Sequence, residues 1–502
     1  MNPPAPRATL VGEVRGILDR ARAAYAATPI GSRLDALARR LDEPLRVAIA
    51  GRVKAGKSTL LNALVGEELA PTDAGECTRI VTWYREGITY RVTLDPVEGE
   101  PRQVPFTREG GAIRVDVGTF RAPEVERLVV DWPSAALRPM TLIDTPGIAS
   151  ATEEDTKRTV AALGADEDQP AASDAVLYLM KHLHSSDVQF LDAFRDRDVS
   201  QPTPINAIAV LSRADEIGAG KLNALETSER IASRYRRDRR VRTLCQTVVP
   251  VAALLAQAGE TLVEDEYRAL ERLARGPVGE VEEALASVDR FLGEAGGSVG
   301  PDSPMRDHLV RRMGMFGVRL SVELVRTGAA ATAPSLARQL IERSGLQRLR
   351  DTLVTQFAGR RDVLKARAAL LALEPLVRGA GGPALTDIQA EIERVHAGAH
   401  EFAEVRLLNA LRAEAADLRH DEEEDAERLL GGGSTAVPAR LGLDPAATPA
   451  EIREAATAAM ARWKARAESP MSSREAVAAA RILVRTCEGI LAALPPPPQF
   501  TV

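Results

Sequence analysis

Aromatic residues make up only 4% of the 502-residue sequence. Its cores must therefore be built from Ala, Leu and Val, which the apolar content of 45% supplies. Cysteine is nearly absent: Cys77, Cys245 and Cys487 stand far apart, with no metal-ligand spacing. That usage suits a reducing cytosol. No run of about 18 apolar residues occurs, so no spanning helix is expected, and any meeting with a membrane is from the side. The opening "MNPPAPRATLVGEVRG" has no signal-peptide apolar core. Positive charge is not in excess. A net charge of −6 argues against wholesale nucleic-acid binding, and no added basic domain or RNA-binding motif is visible.

What is present is a change of pattern along the chain. Residues 8–43 read as helical, with Leu10, Val14, Ile17, Ala21 and Tyr25 on one stripe and a break at Pro29-Ile30-Gly31. From 45 to about 255, short apolar runs alternate with helical stretches: "LRVAIAG", "RIVTWYR", "RLVVDW", "MTLIDTPG", "AVLYLM", "INAIAVLS" and "QTVVPVAA". That alternation predicts a doubly wound, mostly parallel α/β domain. After Val251 everything reads as helix, interrupted at 293–304, 378–384 and 431–438. Leu346, Leu349, Leu353, Phe357, Leu364 and Leu371 share one face, and Leu385, Ile388, Ile392, Val395, Ala399 and Phe402 form a second, coiled-coil-like seam. The two read as an antiparallel hairpin with arms of about 45 Å. Thr448–Glu451 and Ser472–Glu475 predict capping boxes for the last two helices. "PPPP" at 495–498 ends the order.

The chemistry concentrates in "VAIAGRVKAGKSTLLNALVG". Gly51-x-x-x-x-Gly56-Lys57-Ser58 stands between an apolar run and a helical pattern, the setting of a phosphate-binding loop. The backbone from Gly51 through Lys54, Ala55 and Gly56, and the helix start at Ser58 and Thr59, would face the phosphates. Lys57 would reach the β- and γ-phosphates, and the Ser58 hydroxyl would ligate Mg²⁺. "LIDTPG" then supplies Asp144, to hold Mg²⁺ through water, and Gly147, whose N–H can sense a γ-phosphate. Between them, Thr78 is preferred over Thr72 as a second hydroxyl on Mg²⁺, with a backbone placed to orient the attacking water. "VLSRADEIG" offers Ser212, Arg213 and Asp215. A carboxylate there accepts two hydrogen bonds from guanine, and Arg213 can lay its stem and planar head over the base. The competing reading is a strand-end turn. Ala252-Ala253 would form the other wall of the base pocket.

In this order, these pieces make a GTPase, and with a helical hairpin attached the chain resembles the dynamin superfamily, specifically the bacterial dynamin-like proteins of the actinobacterial isoniazid-inducible type. The carrying stretches are "GRVKAGKSTLLNALVG", "APTDAGECTRIVTWY", "DTPG", "SRADEIGAG", "MFGVRLSVEL", "LIERSGL" and "ARLGLDP". The resemblance implies a GTPase head (45–260), a helical neck (1–44 and 261–360), a trunk hairpin (361–430) and C-terminal helices returning to the neck (431–502). It implies GTP·Mg²⁺ turnover coupled to head-to-head association and to membrane tethering, fusion or fission, in a protein placed on the inner face of the plasma membrane. A second dynamin-like protein is a plausible partner. Val53-Lys54 stands where many dynamins carry Gln-Ser. Lys54 either supplies its own ammonium near the phosphates in place of a monovalent cation or points to solvent. No glutamine follows "DTPG", so catalysis would rest on backbone-held water and head dimerisation.

Lipid contact is expected at 369–385, where Leu371, Leu373, Leu376, Val377 and Arg378 surround Pro375 at the hairpin turn. The bland alternative is a buried hairpin end. The basic run "RYRRDRRVR" (234–242) and the acidic run 421–425 read as solvated faces. His182 and His184 lack a third ligand nearby, so structure or a head contact outweighs a metal. Two rivals remain for the whole chain: a dynamin-like ATPase, and a slow GTP switch or scaffold that recruits a partner with little turnover.

Overall fold

A computed structural model describes residues 9–70, 80–109, 112–146, 173–184, 187, 188, 191, 204–293, 299–382 and 384–495. Thr72, Cys77, Thr78 and Gly147 lie outside the described residues, as does the end of the Pro-rich tail.

All seven predicted runs are strands of one nine-stranded sheet, ordered β11-β10-β9-β1-β8-β2-β7-β3-β4. They are β1 (Leu45–Gly51), β2 (Thr82–Glu86), β7 (Val125–Trp132), β8 (Met140–Asp144), β9 (Ala175–Met180), β10 (Ala207–Ser212) and β11 (Val248–Val251). The block from β11 through β10, β9 and β1 to β8 is wholly parallel, and β2 enters antiparallel to β8. β1 is buried on both faces, and its alternation sorts the layers. Val47 and Ile49 join the core beneath Leu60 and Leu64, while Ala48 and Ala50 face Tyr178 and Leu211 on the other side.

Sequence reading missed β3 (Arg91–Pro96), β4 (Arg102–Gln103) and the two-stranded ribbon β5 (Phe106–Glu109) and β6 (Ala112–Val115). They form the sheet's far edge or stand off it, so polar residues alternate with Val92 and Leu94 and no continuous apolar run appears.

After β11 the described residues are helical, as expected. Helices between Ala253 and Ser344 gather around a core of Leu255, Leu270, Phe291, Leu309, Phe316 and Leu340 beside the β10 and β11 ends. The N-terminal helices α1 (Leu10–Tyr25) and α2 (Gly31–Arg40) lie against the helix Arg361–Ala380, and α1 also against Leu385–Gly398.

The hairpin is shorter than predicted. The first arm breaks where a π turn (Leu353–Phe357) meets a 3₁₀ turn (Ala358–Arg360). There Gly359 lies so close to Thr435 that a Cβ would come within 2.0 Å of its Oγ1. The second arm breaks at Ala399, which is extended between two helices. The uninterrupted arms of 20 and 14 residues are about 30 and 21 Å long. The leucine stripe also divides. Leu346 to Leu364 joins the head and C-terminal core, but Leu371, its last member, is only half-buried, and the side chains that pack on α1 are Leu370, Leu373 and Leu376, outside the predicted stripe.

Three further expectations change. Thr448 caps its helix in a reciprocal box with Glu451, as predicted, but the next helix is capped by Ser473, one residue beyond the predicted Ser472. The basic run is solvated at Arg234, Arg237, Arg239 and Arg240, but it is not only a solvated face. Arg236 donates to the Val248 carbonyl within the head, while Arg239 donates to the Ala413 carbonyl and Arg242 to Glu427, fastening the head to the helices His400–Arg412 and His420–Leu429. The acidic run is likewise engaged, with Glu422 on Arg419 and Arg466 and Asp425 on Arg428 and Arg462.

Candidate nucleotide site

The site lies at the carboxyl ends of the parallel strands, where doubly wound sheets open a crevice. β1 ends at Gly51, whose φ of 150° lies in glycine's range. A Cβ there would stand 2.6 Å from the Leu179 carbonyl of neighbouring β9. This close approach lets the chain leave the sheet and curl back. The curl passes through left-handed Lys54 (φ 62°) and Gly56 (φ 91°, ψ 27°), the latter capping α3 (Lys57–Val65). Left-handed residues within such a loop aim successive backbone N–H groups toward one point, and the α3 N-terminus adds its positive end.

Lys57 bends over this loop, with Nζ 3.3 Å from the Gly51 carbonyl oxygen. The register of β1 with β8 sets Ile49 opposite Asp144, bringing the carboxylate beside the loop. The Ser58 hydroxyl donates to Asp144 Oδ2 at 3.2 Å. Asp144 Oδ1 is enclosed with no hydrogen-bond partner among the described residues. Enclosure pushes the Asp144 carboxyl up, against the pull of the Lys57 charge and the Ser58 hydroxyl. Enclosure equally pushes the Lys57 ammonium down. A hydroxyl and a carboxylate with an unused buried lone pair, placed at a phosphate loop, fit a hard divalent cation. Thr145 donates to the Ile49 carbonyl at 2.9 Å and fixes the start of "TPG".

Asn62 was not singled out from sequence. Its side chain accepts from the amides of Leu69 and Ala70 and donates to the Ala70 carbonyl, anchoring the chain that leads toward Thr78. An amide inside an apolar helix run was the available signal.

At the β10 end, Asp215 is buried in a 3₁₀ turn (Ala214–Glu216), and burial pushes its carboxyl up. Arg213, left-handed at φ 53°, turns its guanidinium to Glu216. Ser212 Oγ is enclosed without a partner among the described residues. Ala252 does not offer its amide, because the N–H donates to the Ser344 carbonyl at 2.9 Å. The apolar wall here is Leu254, opposite Gly314 from the helix Ser303–Arg326, a residue far outside the predicted head.

Lys54 is exposed. With Arg52, Lys181, His182, His184 and Asp187 it lines a cavity of about 320 Å³ behind the loop. Among the described residues no His/Cys/Asp/Glu group of metal-site size occurs. At the hairpin turn, Leu373, Leu376 and Val377 are buried under α1 and Leu371 is half-buried, while Arg378 is exposed and paired with Glu374. The apolar side chains expected to face lipid are thus enclosed by packing against the N-terminal helices. Among the described residues no helix is long and apolar enough to cross a membrane.

Residues 47–205 match the Dynamin family. Isoniazid-induced protein IniC of Mycobacterium tuberculosis, in two strains, is 40% identical over 95% of this chain and 98% of its own. A bacterial dynamin-like protein of Nostoc punctiforme is 32% identical over 20% of this chain and 16% of its own. Among solved structures, that of an oligomerised bacterial dynamin pair aligns over 96% of this chain and 74% of its own, at 14% identity and a TM-score of 0.33. That superposition is too loose to place any element. Sharing two-fifths of its residues with the mycobacterial proteins along nearly their whole length, and carrying the phosphate loop where the family match begins, the chain belongs to the dynamin family as a GTPase of the IniC type.

Proposed function

We propose that this GTPase works with Mg²⁺ and couples turnover to association of its heads and to a membrane surface. The convergence of Lys57, Ser58 and Asp144 at one end of the sheet carries the reading. Ser58 would ligate the ion, Asp144 would hold it through water, and Thr78 would complete the set. The ion supplies neutralisation of the charge shared by the β- and γ-phosphate oxygens. Loop amides and Lys57 bind and orient the phosphates, Gly147 reads the third one, and Asp215 with Arg213 selects guanine. In hydrolysis, water attacks the γ-phosphorus and the bond to the bridging oxygen breaks, giving GDP and phosphate. With no glutamine after "DTPG", backbone-held water and a facing head supply the remaining alignment. Anionic lipid would meet the 369–385 turn from the cytoplasmic side, as a peripheral contact.

One observation favours a slower, switch-like alternative: the tip's apolar side chains are covered by α1, and Tyr25 donates to the Gly381 carbonyl at 2.6 Å, closing the turn. Phosphate release from GTP and ATP, with and without anionic liposomes, decides. GTP-selective turnover that rises on liposomes and vanishes in Lys57→Ala is expected. Lipid-indifferent, negligible turnover with tight GTP binding would establish the switch, and ATP preference would remove the role given to Asp215.

A further inference from the structure

The 24-residue helix Ser303–Arg326 is interrupted at Gly314, whose φ of 67° and ψ of 170° are non-helical. Few residues other than glycine occupy that region, and a break in a helix interior sacrifices backbone hydrogen bonds. No core demand explains it. Met313 and Phe316 on either side are buried, as in an ordinary helix. The break instead brings bare backbone to the β10 loop. A Cβ on Gly314 would lie 3.9 Å from Asp215 Oδ2 and 3.5 Å from Leu254 Cδ2.

The helix is fastened there. Arg319 Nη1 donates to the Gly220 carbonyl at 2.8 Å, while its other nitrogens hold the carbonyls of Leu285 and Ala286. The held segment is curled, with Gly218, Ala219 and Gly220 all at positive φ. Independently, Ser212 at the head of this loop keeps an enclosed hydroxyl with no partner among the described residues.

We propose that Gly314 is a specificity-determining residue, a third wall of the base pocket whose missing side chain leaves room for the 2-amino edge of guanine against Asp215. The proposal rests on reading Asp215 as the guanine acceptor. A carboxylate bonded to guanine takes one hydrogen bond from N1–H and a second from the 2-amino group. Hypoxanthine has only the first. A methyl group at 314 would not clash with the carboxylate, but at 3.9 Å it would fill the space beside Oδ2 that the 2-amino group needs, so the second bond is lost before the first.

The test is equilibrium binding of GTP, ITP and ATP, with Mg²⁺, to the full chain and to Gly314→Ala. The parent should prefer GTP to ITP by about tenfold or more, the value of one hydrogen bond to a charged group. In Gly314→Ala that ratio should fall toward unity through loss of GTP affinity, with ITP affinity held within about twofold. Equal losses for both nucleotides, or no loss for either, overturn the proposal. A parent that shows no preference for GTP over ITP and ATP instead refutes the guanine reading itself. Should Gly314→Ala fail to fold, Arg319→Ala serves without a new Cβ. Faster GDP release with a reduced GTP/ITP ratio is expected, and an unchanged ratio and release rate overturn the proposal.

Discussion

A carboxylate and an ammonium enclosed in one corner both lose their water, and Asp144 shows that cost best. Its carboxyl is pushed up by enclosure. With the folded value above the unfolded one, its contribution to stability is present below the unfolded pKa and is lost as pH rises through the folded value. At neutral pH the enclosed carboxyl therefore costs the nucleotide-free fold. Asp144→Asn should raise the Tm of the nucleotide-free protein at pH 7 and abolish Mg²⁺-dependent GTP turnover. A lowered Tm, read by calorimetry without nucleotide, contradicts this. The loop, "DTPG" and "SRAD" were legible in sequence because each is a local backbone device whose residue types follow from its own turn. Gly314 was not, because a helical pattern records no break in its backbone and the residues it approaches, Asp215 and Leu254, are distant in sequence.

At the scale of elements, the seven runs that became strands were readable because each carries a continuous buried apolar stretch; β3 and β4 toward the sheet's far edge and the β5–β6 ribbon were not. The arm breaks at Phe357–Arg360 and Ala399 were invisible to a periodic stripe, since a stripe records which side is apolar and not where the axis bends. The seam joining head, N-terminal helices and trunk is likewise a product of packing. Asp174, just before β9, accepts from Arg40 of α2 and from Lys365 of the Arg361–Ala380 helix, each at 2.8 Å, and from the Arg46 amide at 2.9 Å. Burial would raise this carboxyl, but Arg40 and Lys365 hold it below its ordinary value. A depressed carboxyl stabilises above its unfolded pKa of about 3.9 and loses that contribution as pH falls through the folded value. Asp174→Asn leaves two buried cations without their countercharge, and a cost of about 3–5 kcal/mol is expected in denaturant unfolding at pH 7. The difference between variant and parent should shrink below about pH 4; a pH-independent difference would argue against the latch.

At the scale of the whole molecule, both cysteines among the described residues are buried. Cys245 is buried with its thiol pushed up to about 12, and Cys487 to about 11, in both cases by burial. A thiol reagent at pH 8 should therefore modify no more than one of the three cysteines of the native chain until denaturant is added. Prompt reaction of two or three would mean that the head or the C-terminal helices open readily. The amino-acid sequence by itself determined the sheet's central strands, the order of the nucleotide motifs, the helical second half and the family, because all of these follow from local turn chemistry and from the period of apolar residues. Only the tertiary structure decided which helix lies against the Asp215 turn, that Arg239 and Arg242 of the basic run join the head to the helices near Ala413 and Glu427, and that the apolar hairpin turn is sheltered by α1. Those outcomes depend on which surfaces meet, and a one-dimensional pattern records that a face must be buried without recording what buries it.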